Sequence, residues 1–163
     1  SEAWGRPAVA RGQDGGTLLV APMGAAGVAA FDYARKGVRW QGLKGKVVMA
    51  SPVVCDLDQD GRREVVAATL DGEVVVLDAA DGRRLWSFHV AGDVGESGSS
   101  GGHPAGGAGA AGSKAVNPAG LNAFEADPVV ADLDGDGVLD ILVADYAGRL
   151  HAESGRPILG ARR

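Results

Sequence analysis

Residues 52–90 read PVVCDLDQDGRREVVAATLDGEVVVLDAADGRRLWSFHV, and the punctuation of that stretch decides the fold. An apolar run over 52–55 ends at an acidic turn. A β-branched run over 64–69 stops at Leu70, Asp71 and Gly72. A third over 73–77 passes through the turn 78–82 into a fourth over 84–88. Runs this short, rich in Val and separated by Asp-Gly turns, make poor helices and good antiparallel strands. The stretch therefore predicts four strands in sequence, each joined to the next by a tight turn.

Working outward, the same pattern recurs. A shift of 46 residues lays Phe31 and Asp32 on Leu77 and Asp78, Trp40 on Trp86, Asp14 and Gly15 on Asp60 and Gly61, and Leu19 and Val20 on Val65 and Val66. A shift of 76 lays VCDLDQDGRREVVAA on VADLDGDGVLDILVA and Gly72 on Gly148. The 30-residue difference between the shifts is filled by a Gly/Ala/Ser-rich stretch with almost nothing to bury. A period in the mid-forties with four strands per unit is the signature of a propeller blade. The chain thus divides into a blade over 1–45, a second over 46–90, a flexible insert over 91–120 and a third blade over 121–163. Near the end of the insert, Lys114, Asn117 and Asn122 are the few groups able to contact a ligand. The expected fold is all-β: about three four-stranded antiparallel blades. Because closed propellers take about four to eight blades, they are expected to be part of a larger propeller.

Composition narrows the function. At 163 residues and 45% hydrophobic content the chain can bury a real core. A net charge of −5 argues against an electrostatic grip on nucleic acid. No stretch of 18 apolar residues occurs, so membrane insertion by a helix is not expected. Cys55 is the only cysteine and sits in an apolar run, which reads as a packed thiol rather than a reactive one. His89, His103 and His151 are scattered without zinc spacing and read as non-catalytic. Trp40 and Trp86 recur at one repeat position, as rings packed between blades would; stacking on a ligand would need them exposed. Trp4 reads either as that position of a preceding unit or as an unrelated residue.

The acids are concentrated. Asp56, Asp58, Asp60 and Glu64 occupy positions 1, 3, 5 and 9 of one nine-residue loop, and Asp132, Asp134, Asp136 and Asp140 occupy the same positions of its repeat. Ca²⁺ takes six to eight oxygen ligands, and the Gly at position 6 (Gly61, Gly137) permits the turn that would make these oxygens converge. The carbonyls of Arg62 and Val138, at position 7, could add a ligand. An EF-hand would need a Glu at position 12 and flanking helices; Ala67 and Val143 stand there, between strand sequences. The alternative is a pair of acidic hairpin turns without metal, although four acids in nine residues repel unless something compensates them. Magnesium fits less well, since it demands tight octahedral geometry. In the first unit Ala10, Gly12, Asp14 and Leu18 fall at the ligand positions, leaving one acid.

On these residues the chain resembles known families. SPVVCDLDQDGRREVVAATLDGEVVVLDAADGRRLW and DPVVADLDGDGVLDILVADYAGRL resemble FG-GAP/VCBS repeats, the calcium-loop blades also found in integrin heads. GVAAFDYARKGVRW and GEVVVLDAADGRRLW resemble the PQQ-like (quinoprotein-type) propeller repeat, in which LDAxxGxxxW ends each blade. The third unit departs from the pattern after Leu150, ending in HAESGRPILGARR without the closing Trp, which leaves that blade open to being incomplete. The resemblance implies calcium loops, a secreted or periplasmic bacterial setting, and a segment of a six- to eight-bladed propeller. It leaves two function classes in competition. One is a non-enzymatic binding or scaffold module for a protein or carbohydrate partner, completed by self-association or by the remainder of a longer propeller. The other is part of a propeller enzyme, either a quinone-dependent dehydrogenase or a polysaccharide lyase.

Overall fold

Three antiparallel sheets follow one another along the chain. In the computed structural model, residues 5–12, 14–90, 124–146 and 148–158 are described. The first sheet comprises β1 (Ala8–Arg11), β2 (Thr17–Pro22), β3 (Val28–Asp32) and β4 (Gly37–Gly42), in that spatial order. The second comprises β5 (Val53–Cys55), β6 (Glu64–Ala68), β7 (Glu73–Asp78) and β8 (Arg84–His89), again in order. The third holds β9 (Val129–Ala131), β10 (Asp140–Ala144) and β11 (Leu150–Ser154), with β10 in the middle, and is followed by a 3₁₀ turn at Arg156–Ile158. Among the described residues the third blade therefore has three strands, and the one not among them is the outermost, the strand that the missing Trp leaves open in the sequence. The Gly-rich segment 91–120 lies outside the described residues, as do Trp4, His103, Lys114, Asn117 and Asn122.

Each blade is built the same way because each repeats the same local chemistry. The hairpin between the second and third strands closes with Met23, Thr69 or Asp145 donating its N–H to the carbonyl of Gly27, Glu73 or Arg149, at 2.8–2.9 Å. The third and fourth strands shift register between Ala30 and Phe31 in blade one and between Val76 and Leu77 in blade two. The extra residues opposite these shifts are Arg39 and Leu85, each directly before the repeated tryptophan. A bulge of this kind re-aims the side chain beside it.

Strand alternation sends residues to two faces, and the blades stack face to face. Ala10, Leu18, Val20, Val28, Ala30 and Trp40 of blade one form a core with Val65, Ala67, Val75 and Leu77 of blade two. The opposite face of blade two, with Val66, Ala68, Val74 and Val76, packs on Ile141 and Val143 of blade three and on Phe124. Trp40 is 8% exposed and donates its indole N–H to the Ala79 carbonyl at 2.9 Å, so it spans the first interface. Removing such a ring costs about 3–5 kcal/mol. Trp86 is half-buried against the second core, its ring tilted on Phe88 at 5.2 Å. Both tryptophans thus pack at blade interfaces.

The two outermost faces are apolar as well. On blade one the face turned away from blade two carries Val9, Leu19, Ala29, Phe31 and Val38; Val9, Phe31 and Val38 are 63%, 41% and 56% exposed. On blade three it carries Val129, Leu142, Ala144, Leu150 and Ala152, with Val129 and Leu150 56% and 67% exposed. These positions are repeat-equivalent to the faces that blade two buries on either side.

Candidate metal centre

Strands β5 and β9 lie innermost, next to one another, and β1 contacts β5. The loops leaving these strands therefore sit in a row at one end of the blades. Two of them carry the acids.

In blade two, Asp56, Asp58 and Glu64 each place a carboxylate oxygen within 4.8 Å of the others; in blade three Asp132, Asp134 and Asp136 do the same. Oxygens about 2.3–2.6 Å from a common cation are separated by no more than about 5 Å, so both sets could hold a metal ion. The convergent sets differ from the expected ones. Asp60 is outside the first set, where positions 1, 3 and 9 converge, and Asp140 is outside the second, where positions 1, 3 and 5 converge.

The backbones of the two loops are fixed by the same hydrogen bonds. Asp56 Oδ2 accepts from Gly61 N and Asp132 Oδ2 from Gly137 N, both at 3.0 Å. Asp58 Oδ1 accepts from Asp60 N at 3.3 Å, and Asp134 Oδ1 from Asp136 N at 3.1 Å. Arg62 and Val138 donate their N–H to Asp60 and Asp136, both at 2.8 Å. The position-9 acids turn back to the position-2 amide: Leu57 N donates to Glu64 Oε2 at 2.6 Å and Leu133 N to Asp140 Oδ2 at 3.0 Å. Gly61 and Gly137 hold φ of 86° and 84°, left-handed values a side chain resists.

Burial separates the loops. Glu64 is fully buried, at 0% exposure, in the register position that blade one fills with the buried Leu18. Asp56 Oδ1 is buried without a hydrogen-bond partner. An uncompensated buried carboxylate oxygen is costly, so the donor set fits a cation. Asp132 and Asp134 are exposed, and Asp136 also pairs with Arg156. The Val138 backbone N–H, then Arg156, hold the Asp136 carboxyl below the usual range. Burial, then the Glu64 charge, pushes the Cys55 thiol up to about 12, so it stays protonated and packed against the second core.

Several contacts were not signalled by the sequence motif. The Gln59 side-chain amide donates to the Gly137 carbonyl, joining the two loops over a cleft of about 110 Å³ between Leu57, Asp58 and Val138. In blade one, Asp14 instead pairs with Arg35 and Arg39, at 3.2 and 3.1 Å. In blade three, Asp145 receives Arg149 at 2.7 Å and His151 at 3.0 Å. Burial pushes the Asp145 carboxyl up, but His151 and the Arg149 backbone and guanidinium outweigh it and hold the group at about 2. His89 is exposed at the end of β8.

Sheets of this order, stacked face to face with their first strands innermost, define the chain as β-propeller blades. Among solved structures it is similar to the crystal structure of BamB from Moraxella catarrhalis, a β-propeller, with a TM-score of 0.53 and 16% identity over 93% of this chain. The chain spans about a third of that structure's length, 34%. No protein-family model and no curated protein matches the chain. Among the described residues no helix is long and apolar enough to cross a membrane.

Proposed function

We propose that this chain is a calcium-stabilised β-propeller segment acting as a non-enzymatic binding or scaffold module for a protein or glycan partner. The observation that carries the reading is Asp56 Oδ1, buried without a partner inside a convergent set of carboxylates. Asp56, Asp58 and Glu64, joined by Asp60 and the Arg62 carbonyl, would hold one Ca²⁺. Asp132, Asp134 and Asp136, joined by Asp140 and the Val138 carbonyl, would hold the other. The ion neutralises the clustered acids and fixes each loop between the first two strands of its blade. Its role is a per-blade staple, which fits a first blade that does without it.

The partner reading draws on the apolar end faces. Faces equivalent to these are buried within the chain, so the ends are built to be covered by further blades, from a longer propeller or from another copy. The FG-GAP/VCBS and PQQ-like resemblance supports the same architecture and an extracellular or periplasmic setting. There, calcium modules work at roughly 10⁻⁴–10⁻³ M.

Thermal melts in resin-treated, calcium-free buffer and in millimolar calcium test the cation. Saturation at a hundredfold over Kd adds about 2.7 kcal/mol, an expected rise of several degrees that Asp56→Asn with Asp58→Asn removes in part. Superimposable melts would overturn the reading.

A further inference from the structure

A cleft of about 360 Å³ opens between the first two blades, lined by Arg11, Gly12, Gly61, Arg62, Arg63 and the turn 78–80. Its charge runs against that of the chain: three arginines and one acid, Asp78, in a protein of net charge −5. The acid is turned inward. Asp78 is 6% exposed and its Oδ1 accepts from Ala80 N at 2.8 Å, whereas the three arginines are exposed. Arg11 and Arg62 have no carboxylate partner among the described residues, although Arg35, Arg39, Arg84, Arg149 and Arg156 all have one. The Arg63 carbonyl accepts from Ala79 N at 3.0 Å, which ties the acidic loop to the turn and fixes the far wall. Gly12 and Gly61 add backbone without side chains.

We infer that this cleft binds a small oxyanion, a carboxylate, sulfate or phosphate group, between Arg11 at the end of β1 and Arg62–Arg63 of the blade-two loop. Guanidinium forks match such groups bidentately. The volume is that of a small-ligand site, about 300–1,000 Å³. Only Ala79 and Ala80 are apolar in the lining, which disfavours an apolar ligand. The ligand clamps two blades together at the end where the loops lie. The assignment stands on the arginines alone; its calcium dependence rests on the cation reading above. Arg62 and Arg63 share a loop with Asp56, Asp58 and Asp60, whose charge repels an anion until a cation offsets it.

Calorimetric titration of the full chain with succinate and with sulfate, in low-salt buffer, tests the inference, with glucose as the neutral control. Saturable binding of either anion is expected, weakened at least about tenfold by Arg11→Ala and by Arg62→Ala. Arg62→Lys retains part of the affinity, and Arg83→Ala, an exposed arginine outside the cleft, leaves it unchanged. Thermal melts establish that each variant is folded. Tighter succinate marks a carboxylate ligand and tighter sulfate a tetrahedral one; both support the site. Absence of saturable heat, or equal losses in Arg83→Ala and Arg11→Ala, overturns it. Equal affinity with and without calcium leaves the cleft standing and counts against the cation reading instead.

Discussion

Asp132 Oδ1 accepts a hydrogen bond from Gly135 N at 2.7 Å, whereas the matching atom of blade two, Asp56 Oδ1, is buried and has no hydrogen-bond partner. The two loops share their length, their Gly at position 6 and four corresponding hydrogen bonds, yet their acids stand in different surroundings. Blade two is covered on both faces, so its position-9 acid is fully buried. Blade three is covered on one face, and its loop remains in water. Position 4 differs too: Gly135 takes φ 76° freely, while Gln59 is held at φ 57° with its amide on the neighbouring loop. The same motif is thus tuned by what packs around it. On the proposed calcium reading, the buried copy is expected to depend on a cation more than the exposed one does.

The largest effect should come from truncating the position-9 acids in calcium buffer. Glu64→Ala is expected to cost about 3 kcal/mol, since it leaves the Leu57 amide unsatisfied and opens a void. Asp140→Ala is expected to cost about 1 kcal/mol. Urea unfolding measures both, and equal losses would erase the distinction between the loops.

Acid should separate the blades next. Against the upward push of burial, hydrogen bonds from His151 and Arg149 hold Asp145 in the folded state at about 2, below the ordinary aspartate value of 3.8. Its contribution, about 2 kcal/mol, is fully present above the unfolded value and is lost as pH falls through about 2. Blade two has the non-ionisable Thr69 at that place, with its hydroxyl accepting from Glu73 N at 3.0 Å. Urea unfolding at pH 4.5 and 2.5 should therefore show a smaller drop for Asp145→Asn than for the natural chain. An unaltered drop would remove Asp145 from the account.

Backbone strain gives a smaller contrast. Gly135→Gln should cost about 1 kcal/mol by forcing a side chain into the left-handed region. Gln59→Gly should come out close to neutral, because relief of strain offsets the lost bond to Gly137. A marked loss for Gln59→Gly would show that the cross-loop contact dominates. The smallest expected effect is none: Asp14→Asn should leave calorimetric calcium stoichiometry at about two per chain, since arginines already answer that acid.

Much of this was readable in the residues. The Val-rich runs and Asp-Gly turns placed β5 to β8 to within about one residue, because strand ends in tight hairpins are set by local chemistry. The repeat shifts carried that reading to blades one and three, and the spacing of acids located both convergent sets. Which acids converge was not legible. Position 9 joins one set, where Glu64 is buried, and position 5 joins the other, where Asp136 also meets Arg156 from outside the nine-residue loop. The Gln59 bond and the Asp14 pairs likewise depend on how elements meet, which no nine-residue pattern encodes.

Gly82, at φ 74°, forms part of the seat of Trp40, and a Cβ there would stand 2.5 Å from the indole. The repeat-equivalent of Gly82 in blade one is Lys36, at φ 53°, with its ammonium 3.9 Å over the Tyr33 ring. One turn of the repeat thus serves two ends: on blade two it is a bare notch that admits an indole, and on blade one the same notch is filled by a lysine lying on its own tyrosine.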